Sequence, residues 1–173
     1  MKQRSVRGYA VEPALPKELD EKAERVMRRL CDRKLCVVTA ESCTGGLLAS
    51  LLTDIEGCGR GFERGFVTYS GEAKKELLGL SSDKVEENEA VNANVARDMA
   101  EGALKRSNAD IALSVTGFAG PGGPDDEEGL VFMARSRRDG STRIEERHYG
   151  AIGRGAVRIE ALRTLLDMLD DAF

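Results

Sequence analysis

The sequence predicts an α/β fold, a three-layer α/β/α sandwich around a mixed, mostly parallel sheet. Three observations carry this expectation. Apolar residues switch along the chain between helical spacing and short β-branched runs, the pattern of alternating helices and strands. The runs Leu35-Cys36-Val37-Val38 and Ile111-Ala112-Leu113-Ser114-Val115 are apolar almost throughout, which suits strands buried on both faces. The last two strand-like runs meet at Asp139-Gly140, a hairpin signal that adds antiparallel pairing.

Taken in order, residues 1–16 read as an irregular arm and residues 17–173 as a single domain, a size that supports one substantial core. Leu19, Ala23, Val26, Met27 and Leu30 recur at helical spacing and predict a helix from Lys17 to about Asp32. A strand at 35–38, a turn and a helix from Leu47 follow. Gly57-Cys58-Gly59-Arg60-Gly61 is a flexible connector into a second strand, Phe62 to Tyr69. Glu72 to Leu78 reads as a short helix closed by Gly79. Ser81 to Ala90 is polar and punctuated, and Val91 to Lys105 is a helix with Val91, Val95, Met99 and Leu104 on or near one face. The strand from Ile111 ends at a glycine-rich loop, Thr116 to Gly123. An acidic loop, Asp125 to Glu128, leads to strands at about Leu130–Arg135 and Thr142–Tyr149. The last helix spans about Val157 to Asp170, with Ile159, Leu162, Leu166 and Leu169 along its inner stripe.

Composition narrows the function classes. The net charge of −4, with acids and bases mixed along the chain, supplies no broad basic surface, so no nucleic-acid partner is expected. No apolar stretch approaches the roughly 20 residues that span a bilayer, so no membrane partner is expected either. The basic N-terminus is not followed by the apolar core of a signal peptide, and a cytoplasmic location is expected. Four cysteines, at 31, 36, 43 and 58, form no Cys-x-x-Cys pair, and with one histidine in the chain they do not suggest a metal site. They fit free thiols in a reducing compartment.

Two glycine-bearing turns, Glu41 to Gly46 and Thr116 to Gly123, each follow an apolar strand. In an open α/β sheet ligands bind beyond the carboxyl ends of parallel strands, so the two turns face one crevice if their strands are neighbours. Hydroxyls and unhindered backbone amides there suit a phosphate or carboxylate. Neither turn matches the Walker or dinucleotide-binding patterns, and tight turns alone would also account for the glycines. Ser42, at a strand-to-helix turn, is the candidate nucleophile; an N-cap is the plainer reading of the same position. His148 lies on a strongly polar strand and is a poor candidate base. Lys74 remains, at the start of the helix after the second strand. It acts as a base only if its surroundings favour the neutral amine, and a solvated helical face is the alternative. Tyr69, at the strand end, could relay a proton or hold a leaving group.

Three segments are similar, in order and spacing, to the C-terminal domain family of the competence-damage protein CinA. They are Ala40-Glu41-Ser42-Cys43-Thr44-Gly45-Gly46; Tyr69-Ser70-Gly71-Glu72-Ala73-Lys74 with Leu78-Gly79; and Thr116-Gly117-Phe118-Ala119-Gly120-Pro121-Gly122-Gly123. The resemblance covers roughly residues 17–171. It implies a three-layer α/β/α domain and, from the stand-alone nicotinamide-nucleotide amidases in the family, deamidation of nicotinamide mononucleotide to nicotinate mononucleotide and ammonia. By motif match, the resemblance implies Ser42 as nucleophile, Lys74 as its base and Tyr69 as a supporting catalytic group. Thr44, Gly45, Gly46, Thr116, Gly117, Ala119 and Gly120 would line the nucleotide pocket. It implies no metal or organic cofactor and a small-molecule nucleotide as partner. Arg154 or Arg158 could assist at the phosphate.

The chain departs from the family pattern at Asn88-Glu89-Ala90-Val91-Asn92, where His-Gly-Ala-Val-Ser is usual. It departs again at Asp126-Glu127-Glu128-Gly129, where Lys-Pro-x-Gly is common. Both differences bear on the pocket rim or a subunit contact. The N-terminal molybdopterin-binding-like domain of full-length CinA proteins is not expected here. A non-catalytic nucleotide-binding or regulatory module of the same fold is the alternative function, and another small amide the alternative substrate. Self-association into a homo-oligomer is compatible with a compact domain of this kind.

Overall fold

The computed structural model describes residues 15–82, 91–124 and 126–173. All but the last two residues of the expected arm, most of the polar stretch Ser81–Ala90, the departure at Asn88–Ala90 and Asp125 lie outside the described residues. The elements are α1 (Lys17–Asp32), β1 (Val37–Glu41), α2 (Leu47–Thr53), β2 (Phe62–Val67), α3 (Gly71–Ala73) running into a π-helical turn (Lys74–Leu78), α4 (Ala93–Lys105), β3 (Ile111–Gly117), β4 (Leu130–Arg137), β5 (Thr142–His148) and α5 (Arg154–Asp170).

The sheet is mixed, with strand order β2-β1-β3-β4-β5. β1 pairs in parallel with β2 on one side and β3 on the other, while β3–β4 and β4–β5 are antiparallel. Only β4 therefore runs against the common direction. The chain leaves β1 for one neighbour and later returns to its other side, so β1 is the point at which the strand order reverses. Ligand crevices of open α/β sheets form at such points, beyond the carboxyl ends of the strands.

Side chains alternate between the two faces as the pleat requires. Val37, Ile111, Leu113, Val115, Val131 and Met133 pack against α1, α2 and α5 on one face. Val38, Ala40, Ala112, Phe132 and Ala134 pack against α4 and the π turn on the other. The stripe expected on α1 is buried at all five positions, Leu19, Ala23, Val26, Met27 and Leu30. Full burial of a leucine side chain stabilises by about 1.5–3 kcal/mol, so such a stripe suffices to dock the helix. Asn92 caps α4, its side-chain oxygen accepting from Val95 N–H at 2.9 Å. None of the described helices is long and apolar enough to cross a membrane.

Several boundaries differ from the sequence expectation, and each difference bears on the site. β1 lies at Val37–Glu41 rather than 35–38, because parallel pairing on both sides carries the strand through Thr39 and Glu41, and all five residues are buried. β3 likewise runs on to Gly117, held by β4 through the pairs Thr116–Phe132 and Gly117–Val131. The short helix after β2 widens into a π turn beginning at Lys74, a departure from α geometry that recurs at functional sites. α5 begins at Arg154, three residues before the expected Val157.

Candidate active site

The carboxyl ends of β1, β2 and β3 open onto one cavity of about 280 Å³. β1 supplies Ser42, the residue immediately after its end. Ser42 N–H donates to Val115 O at 3.0 Å, which fixes the start of the turn against β3. The turn then reverses tightly into α2, with Gly45 N–H donating to Ser42 O at 3.1 Å. Gly45 and Gly46 stand at φ 64° and 94°, values that residues with a Cβ rarely adopt, which explains the Gly-Gly pair.

Glu41 organises this turn from inside. Its carboxylate is fully buried and accepts from Thr44 Oγ1 at 2.6 Å, Gly46 N–H at 3.1 Å, Leu48 N–H at 3.0 Å and Ala49 N–H at 2.8 Å. The N-cap position of α2 is Gly46, which has no side chain to cap with. The last strand residue therefore satisfies the amides that open the helix. It also occupies the positive end of the α2 dipole, so the anion at this helix start is the chain's own carboxylate.

Lys74 is the largest fully buried side chain, at 2% exposed. The π turn places its Nζ 3.0 Å from Ser42 Oγ and 3.4 Å from Tyr69 O. Among the described residues no carboxylate lies within ion-pairing distance of it. Burial pushes its pKa below the ordinary lysine value, and the one opposing influence is the Cys43 thiolate. Burial in turn pushes Cys43 up to about 12, so at neutral pH it is an uncharged thiol and the opposition is absent. The neutral amine is thereby favoured at Lys74. The same burial disqualifies Cys43 as a competing nucleophile, because the thiolate is the reactive form.

The far wall is the end of β3 and the loop after it. Thr116, Gly117, Phe118, Ala119 and Gly120 line the cavity, followed by Pro121, Gly122 and Gly123. Two charged side chains lie against this loop where glycine leaves room. A Cβ on Gly120 would stand 2.9 Å from the Arg154 guanidinium, and one on Gly122 would collide with Asp126 Oδ2. Both Arg154 and Asp126 line the cavity. Arg158, one turn further along α5, donates from Nε to Cys43 O at 2.8 Å and so braces the Ser42 turn from outside.

A buried serine and lysine in contact beneath a cavity with backbone amides on its walls form a nucleophile–base pair able to carry out acyl transfer. The model of the CinA C-terminal domain matches residues 19–173.

The chain belongs to the CinA C-terminal domain family.

Among relatives, the Escherichia coli K12 protein named nicotinamide-nucleotide amidohydrolase PncC is 46% identical over 132 residues, covering 74% of this chain and 80% of the relative. A CinA-like protein of Chlorobaculum tepidum is 48% identical over 126 residues, covering 70% of this chain and 30% of the relative. This CinA C-terminal domain thus spans about a third of the length of such longer relatives. The crystal structure of competence/damage inducible protein CihA from Agrobacterium tumefaciens superposes with a TM-score of 0.86 at 43% identity, over 90% of this chain and 95% of that one.

Of the residues singled out from sequence, this CinA C-terminal domain brings Ser42, Tyr69, Lys74, Thr116, Gly117, Ala119 and Gly120 to the cavity. Tyr69 stands at its edge, 72% exposed, and its hydroxyl has no partner among the described residues. Thr44, Gly45 and Gly46 are not among the residues that line the cavity. Thr44 is buried with its hydroxyl donated to Glu41, and the two glycines shape the turn behind Ser42. Arg158 holds the turn rather than the cavity. His148 is remote from it, paired at the surface with Glu127 and Glu146. Sequence reasoning missed Glu41 and Asp126. The sign of Glu41 was a helix opening on Gly46 without a capping side chain; Asp126 carried no such sign.

Proposed function

We propose that this protein hydrolyses the carboxamide of nicotinamide mononucleotide to nicotinate mononucleotide and ammonia, with Ser42 as nucleophile and Lys74 as general base. The observation that carries the reading is the 3.0 Å contact between Lys74 Nζ and Ser42 Oγ inside the cavity. The name of the Escherichia coli relative supports the substrate.

Neutral Lys74 takes the Ser42 proton as Oγ attacks the carboxamide carbon. The carbonyl oxygen gathers negative charge, and the resulting lysine ammonium is held by Tyr69 O. Lys74 then returns the proton to the departing nitrogen, and ammonia leaves an ester on Ser42. Water attacks that ester with Lys74 again as base, and the proton returns to Ser42 Oγ as nicotinate mononucleotide is released. The amides of Ser42, Gly45, Gly46, Leu48 and Ala49 are already committed within the turn and helix. Cys43 N–H, on the cavity wall, is the turn amide left for the oxyanion, a role in which one donor is worth about 2.7–4 kcal/mol of barrier. Arg154, exposed at the rim and in no ion pair among the described residues, meets the phosphate.

Ammonia release from nicotinamide mononucleotide by the purified protein, with Ser42→Ala beside it, tests this reading. Turnover lost in the variant is the expected result. Nucleotide binding without ammonia release would select the non-catalytic module instead.

A further inference from the structure

The cavity is electrostatically divided, and the proposed mechanism uses only its basic side. Asp126 lines it with a carboxylate fixed in place, because Gly123 N–H donates to its Oδ2 at 2.6 Å. Glycine at 122 is what lets this carboxylate lie against the loop. Among the described residues no cation pairs with Asp126. With Oδ2 anchored to the loop, the carboxylate retains acceptor capacity facing the cavity. A carboxylate so placed repels a phosphate and suits a hydroxyl-bearing group.

Arg154 approaches Gly120 and Asp126 approaches Gly122, and two residues of extended chain span at most about 7 Å. A pentose 5-phosphate presents an anion and a pair of ring hydroxyls on that scale. We infer that Asp126 is the specificity residue that accepts hydrogen bonds from the ribose hydroxyls of the substrate, while Arg154 takes the phosphate at the other end of the same loop. This rests on the amidase reading of the site and extends it to the sugar. It assigns a role to a residue outside all three motifs. A site built to accept from a hydroxyl discriminates against the analogue that lacks it, because the half-buried acceptor then loses its partner.

The test is calorimetric binding of nicotinamide mononucleotide and its 2′-deoxy analogue to the Ser42→Ala protein, which holds the nucleotide without consuming it. The expected result is about ten-fold or more tighter binding of the ribonucleotide. Adding Asp126→Asn should reduce ribonucleotide affinity to that of the deoxy analogue. The asparagine carbonyl still accepts from Gly123 N–H, so the loop is retained while the acceptor toward the sugar becomes a donor. Asp126→Ala should show the same loss of discrimination, with circular dichroism reporting the fold. Equal binding of the two nucleotides, or tighter ribonucleotide binding in Asp126→Asn, overturns the assignment. If wild-type protein also releases ammonia normally, the amidase reading survives that failure. Discrimination lost in Asp126→Asn, in a protein that releases no ammonia, leaves the sugar contact standing and removes the amidase. Absence of binding to either nucleotide overturns both.

Discussion

Lys74 Nζ lies 3.0 Å from Ser42 Oγ, and both side chains are buried. A charged amine gains little there, having a hydroxyl and a carbonyl for company and no carboxylate among the described residues. A neutral amine in the same place accepts the serine proton directly.

Substitution at neighbouring positions separates the nucleophile from its surroundings. Ser42→Ala should lower kcat by about 10³-fold or more, as removal of a nucleophile does. Cys43→Ala should keep kcat within about threefold, because burial holds that thiol near pKa 12 and out of the chemistry. Ammonia release from folded protein measures both, and a Cys43→Ala loss as large as that of Ser42→Ala would move the nucleophile to the thiol.

Lys74 predicts opposite effects on activity and stability. Its folded pKa is depressed, so between that value and the ordinary lysine value near 10.5 the unfolded chain binds more protons than the native one. Stability therefore rises with pH through this window. Lys74→Met should lose activity by about 100-fold or more and raise Tm at neutral pH, and that Tm advantage should shrink as pH climbs toward 10.5. The wild-type kcat/KM should also rise with pH through the depressed lysine pKa. Thermal melts of both proteins across pH, beside the pH–rate profile, check the sign; an advantage that widens with pH would contradict the buried-amine account.

Glu41 should couple stability to catalysis. Glu41→Gln leaves an amide that accepts through one oxygen where a carboxylate served four donors. Hydrogen bonds to charged groups contribute about 1.5–3 kcal/mol each and are not additive, so a loss of about 2–4 kcal/mol in urea unfolding is expected. At temperatures where the variant is folded, kcat should fall more than KM rises, because the turn that aims Ser42 is loosened. Thr44→Val removes the one side-chain donor and keeps the three backbone donors, so its effect should be smaller on both measures.

The layered fold was legible because its signals are local: the helical stripe of α1, the apolar strands and the Asp139-Gly140 turn each lie within a few residues. The site was legible only in pieces. Ser42 and Lys74 stood out as candidates, but a lysine pair at 74–75 reads equally as a solvated helix face. Its burial arises from the packing of the π turn beside β1 and α4, which no short window reports. Glu41 was taken for a turn residue because parallel pairing with two other strands, rather than its own side chain, extends β1 through it. Thr44, Gly45 and Gly46 belonged to a matched motif and so were assigned to the pocket. Their spacing also serves the capping carboxylate and the left-handed turn.

The glycines of the β3 loop should separate into two classes by what a Cβ would meet. At Gly117 the added carbon would press on Leu130 O and the Val131 backbone, neither of which can yield without disturbing the β3–β4 pairing. Gly117→Ala should therefore lower Tm markedly, a close backbone approach being costly to relieve. At Gly120 the nearest atoms belong to the Arg154 guanidinium, 2.9 Å away, the far end of a flexible and exposed side chain. Gly120→Ala should lower Tm much less than Gly117→Ala, because the only close atoms belong to an exposed arginine that swings aside. That movement takes the cation from the phosphate, so KM for nicotinamide mononucleotide should rise while kcat changes little. Arg154→Ala should reproduce the KM effect, and the two changes combined should be no worse than Arg154→Ala alone, since both act through one guanidinium. Additive KM effects in the double variant would show that Gly120 shapes the pocket by itself and does not act through Arg154.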